Sequence, residues 1–154
     1  MKPLTGSDNT FGTPREVFDY FNRWYGPFDL DAAANRKNRL VKQYLGQGGK
    51  YENALDPAVH WHQLGEKIWL NPPFGRGLGN WVKRAWEEHH RGCRIVMLLP
   101  ASTGPRWYRD YVYGQEHYWL GRLQYVGGKT GAPWDSMIVI LNPPPHFLKR
   151  FQRA

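Results

Sequence analysis

A single cysteine, Cys93, stands among 154 residues, which excludes an internal disulfide and a zinc site built on cysteine thiolates. Its place beside a strand-like run that begins at Arg94 marks it as a packing residue. No stretch approaches the roughly 20 apolar residues of a membrane span, and the amino terminus lacks the apolar core of a signal peptide. A soluble, cytoplasmic protein with no membrane partner is expected. The G-x-G-x-x-G pattern that cradles a dinucleotide phosphate is absent. Gly128-Lys129-Thr130 copies the tail of a phosphate-binding P-loop, but Leu123 occupies the position where that motif needs glycine and no helical pattern follows. Nucleotide hydrolysis is thereby excluded. The six histidines, His60, His62, His89, His90, His117 and His146, contain one i,i+2 pair and one adjacent pair. Neither pair is joined to a carboxylate in metal-binding spacing, and no metal is expected.

Negative charge is also scarce. Thirteen Asp and Glu face 21 Lys and Arg, a formal net charge of +8 with a pI of about 9.7, which favours a polyanionic partner and says little about fold. Aromatic residues make up 16% of the chain. Rings mixed with Arg and Lys suit nucleobases and phosphates, although tryptophan in a small domain is more often core. The length fits one compact domain, residues 1–154, with the polar first 12 residues loosely ordered and no room for a separate large recognition domain.

Thr13-Pro14 opens a helix: threonine is a good cap, proline suits the first turn, and Glu16 completes a capping-box spacing. Val17, Phe18, Phe21, Trp24 and Tyr25 form its apolar stripe, and Gly26-Pro27 stops it. A short strand over 28–31 leads through the turn 32–35 into the basic segment 36–42 and the glycine-rich loop 46–50. A strand over 67–70 and a helix over about 78–90 follow, the helix placing Leu78, Val82, Ala85 and Trp86 on one side. The continuous apolar run 95–99 before Pro100 is what a strand buried on both faces looks like. A helix from Pro105 carries Trp107, Tyr108 and Tyr111, and strands over 118–126 and 136–141 joined by the loop 127–135 close the chain as an antiparallel hairpin. The pattern predicts an α/β three-layer sandwich with a mostly parallel sheet.

Asn71-Pro72-Pro73-Phe74 lies directly after the 67–70 strand. The prolines fix their own φ near −65° and push each preceding residue out of the helical region, so that the Asn71 side chain and the Pro72 carbonyl form a rigid ledge with a flat ring beside it. Two acceptors and a ring are what hold an exocyclic amine and stack on the planar group that carries it. Such an amine is a poor nucleophile because its lone pair is delocalised, and methylation from a charged sulfonium donor requires positioning and electrostatics rather than a metal. Asn-Pro is also an ordinary turn starter. Asn142-Pro143-Pro144-Pro145 lacks the aromatic residue and reads as a strand terminator. Asp31, at a strand end where a doubly wound sheet opens its ligand crevice, is either an acceptor for ribose or amino groups or a cap for the next helix, and the small Ala32 permits close backbone approach.

The tetrapeptide resembles the [DNS]-P-P-[YFW] motif of S-adenosylmethionine-dependent amino-methyltransferases. The chain is similar, over about residues 13–141, to the phage and prophage Dam-type DNA adenine-N6 methyltransferases, through six blocks in order. These are Thr13-Pro14-Arg15-Glu16-Val17-Phe18; Phe28-Asp29-Leu30-Asp31-Ala32-Ala33; Asn53-Ala54-Leu55; Trp69-Leu70-Asn71-Pro72-Pro73-Phe74-Gly75-Arg76; Leu99-Pro100-Ala101; and Gly121-Arg122-Leu123 with Ala132-Pro133-Trp134-Asp135-Ser136-Met137-Ile138-Val139-Ile140. Phe74 stands where Tyr is frequent, and Trp134-Asp135 where a Phe-Pro pair is common.

The resemblance implies a Rossmann-like methyltransferase fold and a site-specific, adenine-specific DNA methyltransferase acting on double-stranded DNA, with no obligate protein partner. It assigns Asn71, Pro72, Pro73 and Phe74 to catalysis on a flipped adenine. It assigns Thr13, Pro14, Asp31, Ala32 and Asn53 to S-adenosylmethionine. Arg15, Arg36, Lys37, Arg76 and Arg106, the basic residues nearest the strand ends, are the DNA-binding candidates with Lys129 and Trp134 of the 127–135 loop; solvated surface is the alternative. The rival functions are methylation of cytosine N4 or of protein glutamine, and a catalytically silent DNA-binding module.

Overall fold

The computed structural model describes residues 12–127 and 131–145. The expectations for residues 1–11 and for Lys129 lie outside the described residues. Helix α1, Arg15–Tyr25, is followed by β1, Leu30–Asp31; α2, Trp61–Leu64; β2, Lys67–Leu70; α3, Leu78–His89; and β3, Arg94–Pro100. A π-helical turn, Tyr108–Val112, then leads to β4, Glu116–Gly121, and β5, Ser136–Leu141. The five strands form one open sheet in the order β1-β2-β3-β5-β4. β1, β2 and β3 run parallel, whereas β5 is antiparallel to both β3 and β4. Four strands therefore point one way and β5 alone is reversed, so two of the four pairings in this mixed sheet are antiparallel.

The periodicity of two along β3 separates the core into two parts. Ile95, Met97 and Leu99 join Leu78, Val82 and Ala85 of α3, Trp61 of α2 and Val112. Val96 and Leu98 join Phe18, Phe21 and Tyr25 of α1 on the other side. All five of these β3 residues are 0% exposed, and burial of each contributes about 1.5–3 kcal/mol. That explains why the 95–99 run carries no polar residue.

Three boundaries differ from the sequence reading. Thr13 does not cap α1: Pro14 holds the cap position and no side-chain cap bond forms, because the Thr13 hydroxyl is engaged elsewhere. The first strand is shorter than 28–31, since both Asp29 carboxylate oxygens turn back to accept from the Glu66 and Lys67 N–H groups. The 118–126 strand is displaced to Glu116–Gly121; a bulge between Trp119 and Gly121 breaks its register, and Gly121 at φ 71 turns the chain out of the sheet. Val126 pairs instead with Gly12 in an isolated bridge. After Pro105 only two residues of ordinary helix, Arg106 and Trp107, precede the π-helical turn. No helix among the described residues is long and apolar enough to cross a membrane.

Candidate active site at the carboxyl edge of the sheet

The strand directions bring the predicted residues to one edge. Asp31 pairs with Trp69 and Leu70 with Met97, so β1, β2 and β3 deliver Asp31-Ala32, Asn71 and Pro100-Ala101 to the same end of the sheet. β5 begins there, Ser136 pairing with Pro100. The Ala101 N–H donates to the Asp135 carbonyl at 2.7 Å, which ties the segment entering β5 to the end of β3.

Asn71 is buried, and its Nδ2 donates to the Thr13 hydroxyl at 3.1 Å. This bond fixes the rotation of the amide and explains why Thr13, itself 4% exposed, does not cap its helix. Two blocks separated by 58 positions in the chain are thus joined side chain to side chain. Pro72 and Pro73 are buried and Phe74 is half-buried. Gly75 has φ 127, a conformation available to glycine and costly for other residues, and it turns the chain from the ledge towards α3 through a Leu78 N–H to Gly75 carbonyl bond.

Phe74 stands edge-on to two rings, Tyr125 at 6.1 Å and Trp134 at 5.7 Å between centroids. The Tyr125 hydroxyl is 2.7 Å from the Ser136 hydroxyl. Burial pushes this phenol up to about 12, with the Ser136 bond acting against the shift, so Tyr125 is neutral across the working range. The sequence reading missed Tyr125, whose only signal was an aromatic residue ahead of the 127–135 loop. Trp134 Nε1 is buried without a hydrogen-bond partner among the described residues.

Asp31 is 2% exposed. Its Oδ2 accepts from the Leu40 N–H at 3.1 Å and its Oδ1 from the Ala33 N–H at 3.4 Å. No helix begins there, so the capping alternative fails; the carboxylate organises the irregular segment 33–40. Burial raises its pKa from 3.8 to about 7, against the two backbone donors. Ala32, fully buried, donates its N–H to the Trp69 carbonyl at 3.0 Å. Gly46 packs so closely that a Cβ would lie 1.7 Å from the Ala34 carbonyl oxygen.

Asn53 is exposed and accepts from the Leu55 N–H at 3.1 Å. Parallel bridges from Asp31 to Tyr44 and from Leu45 to Tyr51 carry the chain outward beyond β1, so Asn53 reaches the same edge on its far flank, apart from the Asn71–Thr13 pair. Arg84 of α3 braces that flank, donating to the carbonyls of Ala54, Val59, Leu55 and Asp56. Its role depends on contacts at least 25 residues apart and has no local signature. Arg15, Arg36, Lys37, Arg76 and Arg106 are all exposed; Arg15 pairs with Asp19 at 3.1 Å.

The DNA N-6-adenine-methyltransferase (Dam) family matches residues 4–144. A DNA N-6-adenine-methyltransferase of Escherichia phage T1 is 30% identical over 143 residues, covering 82% of this chain and 57% of that protein. One of Haemophilus phage HP1 (strain HP1c1) is 25% identical over 142 residues, covering 86% of this chain and 78% of that protein. The chain therefore spans little more than half the length of the phage T1 relative. With nearly its whole length matched and the motif-bearing strand ends gathered at one edge, the chain belongs to the DNA N-6-adenine-methyltransferase (Dam) family.

Proposed function

We propose that the protein transfers a methyl group from S-adenosylmethionine to the N6 amine of an adenine turned out of double-stranded DNA. The carrying observation is the Asn71–Thr13 bond at 3.1 Å, which joins the block proposed to hold the target amine to the block proposed to hold the methyl donor. The relatives' printed names, DNA N-6-adenine-methyltransferase, support adenine N6 as the acceptor. In this reading the sheet with helices on both faces is a three-layer, Rossmann-like methyltransferase fold.

The donors and acceptors at the carboxyl edge fit S-adenosylmethionine. A carboxylate, a hydroxyl and small alanines at strand ends suit a ligand that carries an amino acid, a ribose and a base. Thr13 and Asp31 would hold its amino-acid part and Asn53 its adenosine part, with Pro14 and Ala32 lining the approach. When bound, it would supply an electrophilic methyl carbon on a sulfonium, with the thioether as leaving group and the displaced N6 proton passing to solvent.

The chain's own residues orient the amine. With Nδ2 of Asn71 held by Thr13, Oδ1 would accept from one N6 hydrogen and the Pro72 carbonyl from the other. Both acceptors draw the nitrogen lone pair out of conjugation with the ring. Phe74 stacks on the base, and Trp134 and Tyr125 hold Phe74 upright from its edges. Arg15, Arg36, Lys37, Arg76 and Arg106 supply the phosphate contacts in this reading, which predicts a steep fall of affinity with salt.

Incubation with unmethylated DNA and labelled donor, followed by nucleoside analysis, tests the proposal. Label in N6-methyladenine is expected. Label in N4-methylcytosine, or in protein glutamine alone, would replace it with one of the rival substrates, and absence of donor binding by calorimetry would favour the silent DNA-binding module.

A further inference from the structure

The fold joins His60 and His62 to a carboxylate that the sequence does not place near them, Glu88 at the end of α3. One ligand atom from each of the three residues lies within 4.8 Å of the others. We propose that they bind one divalent transition-metal ion of the zinc type, at a site separate from the carboxyl edge and independent of the methyl-transfer reading.

The three side chains are held from outside the cluster. Trp61, between the two histidines, is fully buried, its Nε1 donating to the Ala54 carbonyl at 2.9 Å and the Arg84 guanidinium lying 5.9 Å from its ring centre. That anchor keeps both imidazoles on one side, their centroids 5.6 Å apart. Glu88 is 4% exposed. Its Oε2 accepts from the His62 backbone N–H at 2.9 Å and lies 2.6 Å from His62 Nδ1. The His60 imidazole, half-buried like that of His62, makes no hydrogen bond among the described residues and is the member able to swing inwards.

Metal–ligand bonds of about 2.0–2.1 Å in a tetrahedron set ligand atoms roughly 3.4 Å apart. The ion would take the place of the proton shared by His62 and Glu88, widening that pair while His60 closes. Two imidazoles and one carboxylate suit zinc-type ions and do not suit magnesium or calcium, which prefer oxygen. A cleft of about 490 Å³ lined by His62 offers access and room for a fourth ligand. Lys67, Arg91 and Arg94 also line it, so an anionic fourth ligand is favoured.

Full-length protein stripped with chelator and titrated with Zn²⁺, by calorimetry and by thermal unfolding, tests the site. One zinc per chain is expected, with a Tm that rises with Zn²⁺ and not with Mg²⁺. His60→Ala should weaken binding at least about tenfold while leaving the metal-free Tm within about 1–2 °C of wild type, because this imidazole makes no hydrogen bond among the described residues and only a ring contact with His62. His90→Ala, in the other histidine pair, should bind as wild type. His60→Gln is held to the same criterion should the alanine variant fold poorly. No stoichiometric zinc binding, His60 variants that bind as tightly as wild type, or loss of binding in His90→Ala instead would each overturn the proposal.

Discussion

Two Asn-Pro-Pro corners follow two strands in this chain, and they sit at opposite edges of the same sheet. At the carboxyl edge, Asn71 is buried and its amide nitrogen is held by a side-chain hydroxyl, that of Thr13. At the other edge, Asn142 is exposed, adopts φ 56 and spends its amide nitrogen on the backbone carbonyls of His89 and Cys93, at 2.7 and 2.8 Å. The second corner closes the end of β5 against the end of α3, as a terminator does. The reversal of β5 alone accounts for the difference in position: its carboxyl end meets the amino ends of β2 and β3. One tripeptide can therefore serve fold or chemistry, and partner type and strand direction distinguish the two uses.

The comparison breaks most sharply at Asn71. Asn71→Ala should lower turnover by about 10²- to 10³-fold, the size of effect seen when one preorganised polar partner of a reacting centre is removed. Asn142→Ala should leave turnover per folded molecule unchanged. Steady-state kinetics with a circular-dichroism check on both variants decides, and comparable losses at the two corners would sink the distinction.

A second contrast lies in charge. The carboxyl edge keeps an aspartate buried against two backbone N–H groups, whereas the buried carboxylate at the other edge, Glu88, also has the His62 ring as a partner. Since the folded pKa of Asp31 is raised from 3.8 to about 7, its contribution to stability is fully present below about pH 4 and is lost as the pH rises towards 7. The slope is at most about 1.4 kcal/mol per pH unit, or a few kcal/mol across the window. Urea unfolding of wild type and Asp31→Asn between pH 4 and 8 should show the wild type losing ground to the variant over that range. Parallel pH dependences would refute it. Cys93 at the opposite edge, pushed up to about 12 by burial and the nearby Glu88 charge, stays a neutral thiol throughout.

Smaller effects are expected at the ring. Phe74→Leu should raise the apparent KM for DNA and lower kcat/KM by about 5- to 150-fold, equivalent to about 1–3 kcal/mol of base stacking, while Phe74→Tyr should retain activity. Tighter DNA binding by Phe74→Leu would mean that the ring does not face the base.

How far the sequence went follows from the range of the interactions involved. β2, the buried run of β3 and the apolar stripes of α1 and α3 are periodic over a few residues, and their positions were legible within one or two residues. The carboxyl-edge assembly was legible in its parts. The bond from Asn71 to Thr13 was not, because a threonine before Pro14 with Glu16 behind it reads locally as a helix cap and only the tertiary fold supplies its other partner. Tyr125 beside Phe74, Arg84 under the 54–59 loop and Glu88 beside His62 share that reason. The displaced β4 failed for a different one: the alternation of large residues continues past Gly121, and the bulge that ends the strand depends on pairing with β5.

Asn142 offers the finest discrimination, because its two functions can be separated. Asn142→Gly removes both hydrogen bonds to the carbonyls but fits φ 56 without strain, so it should cost about 1 kcal/mol. Asn142→Ala loses the same bonds and keeps a Cβ at φ 56 without the asparagine side chain that makes this conformation tolerable, a left-handed cost of about 1–2 kcal/mol that glycine escapes. The alanine variant should therefore unfold at lower urea than the glycine variant, with unchanged m-value, and neither should alter donor affinity. If glycine is as damaging as alanine, the amide bonds alone hold the corner; if glycine is neutral, the turn conformation is all that this asparagine provides. Either result would still leave it without the side-chain partner that sets Asn71 apart.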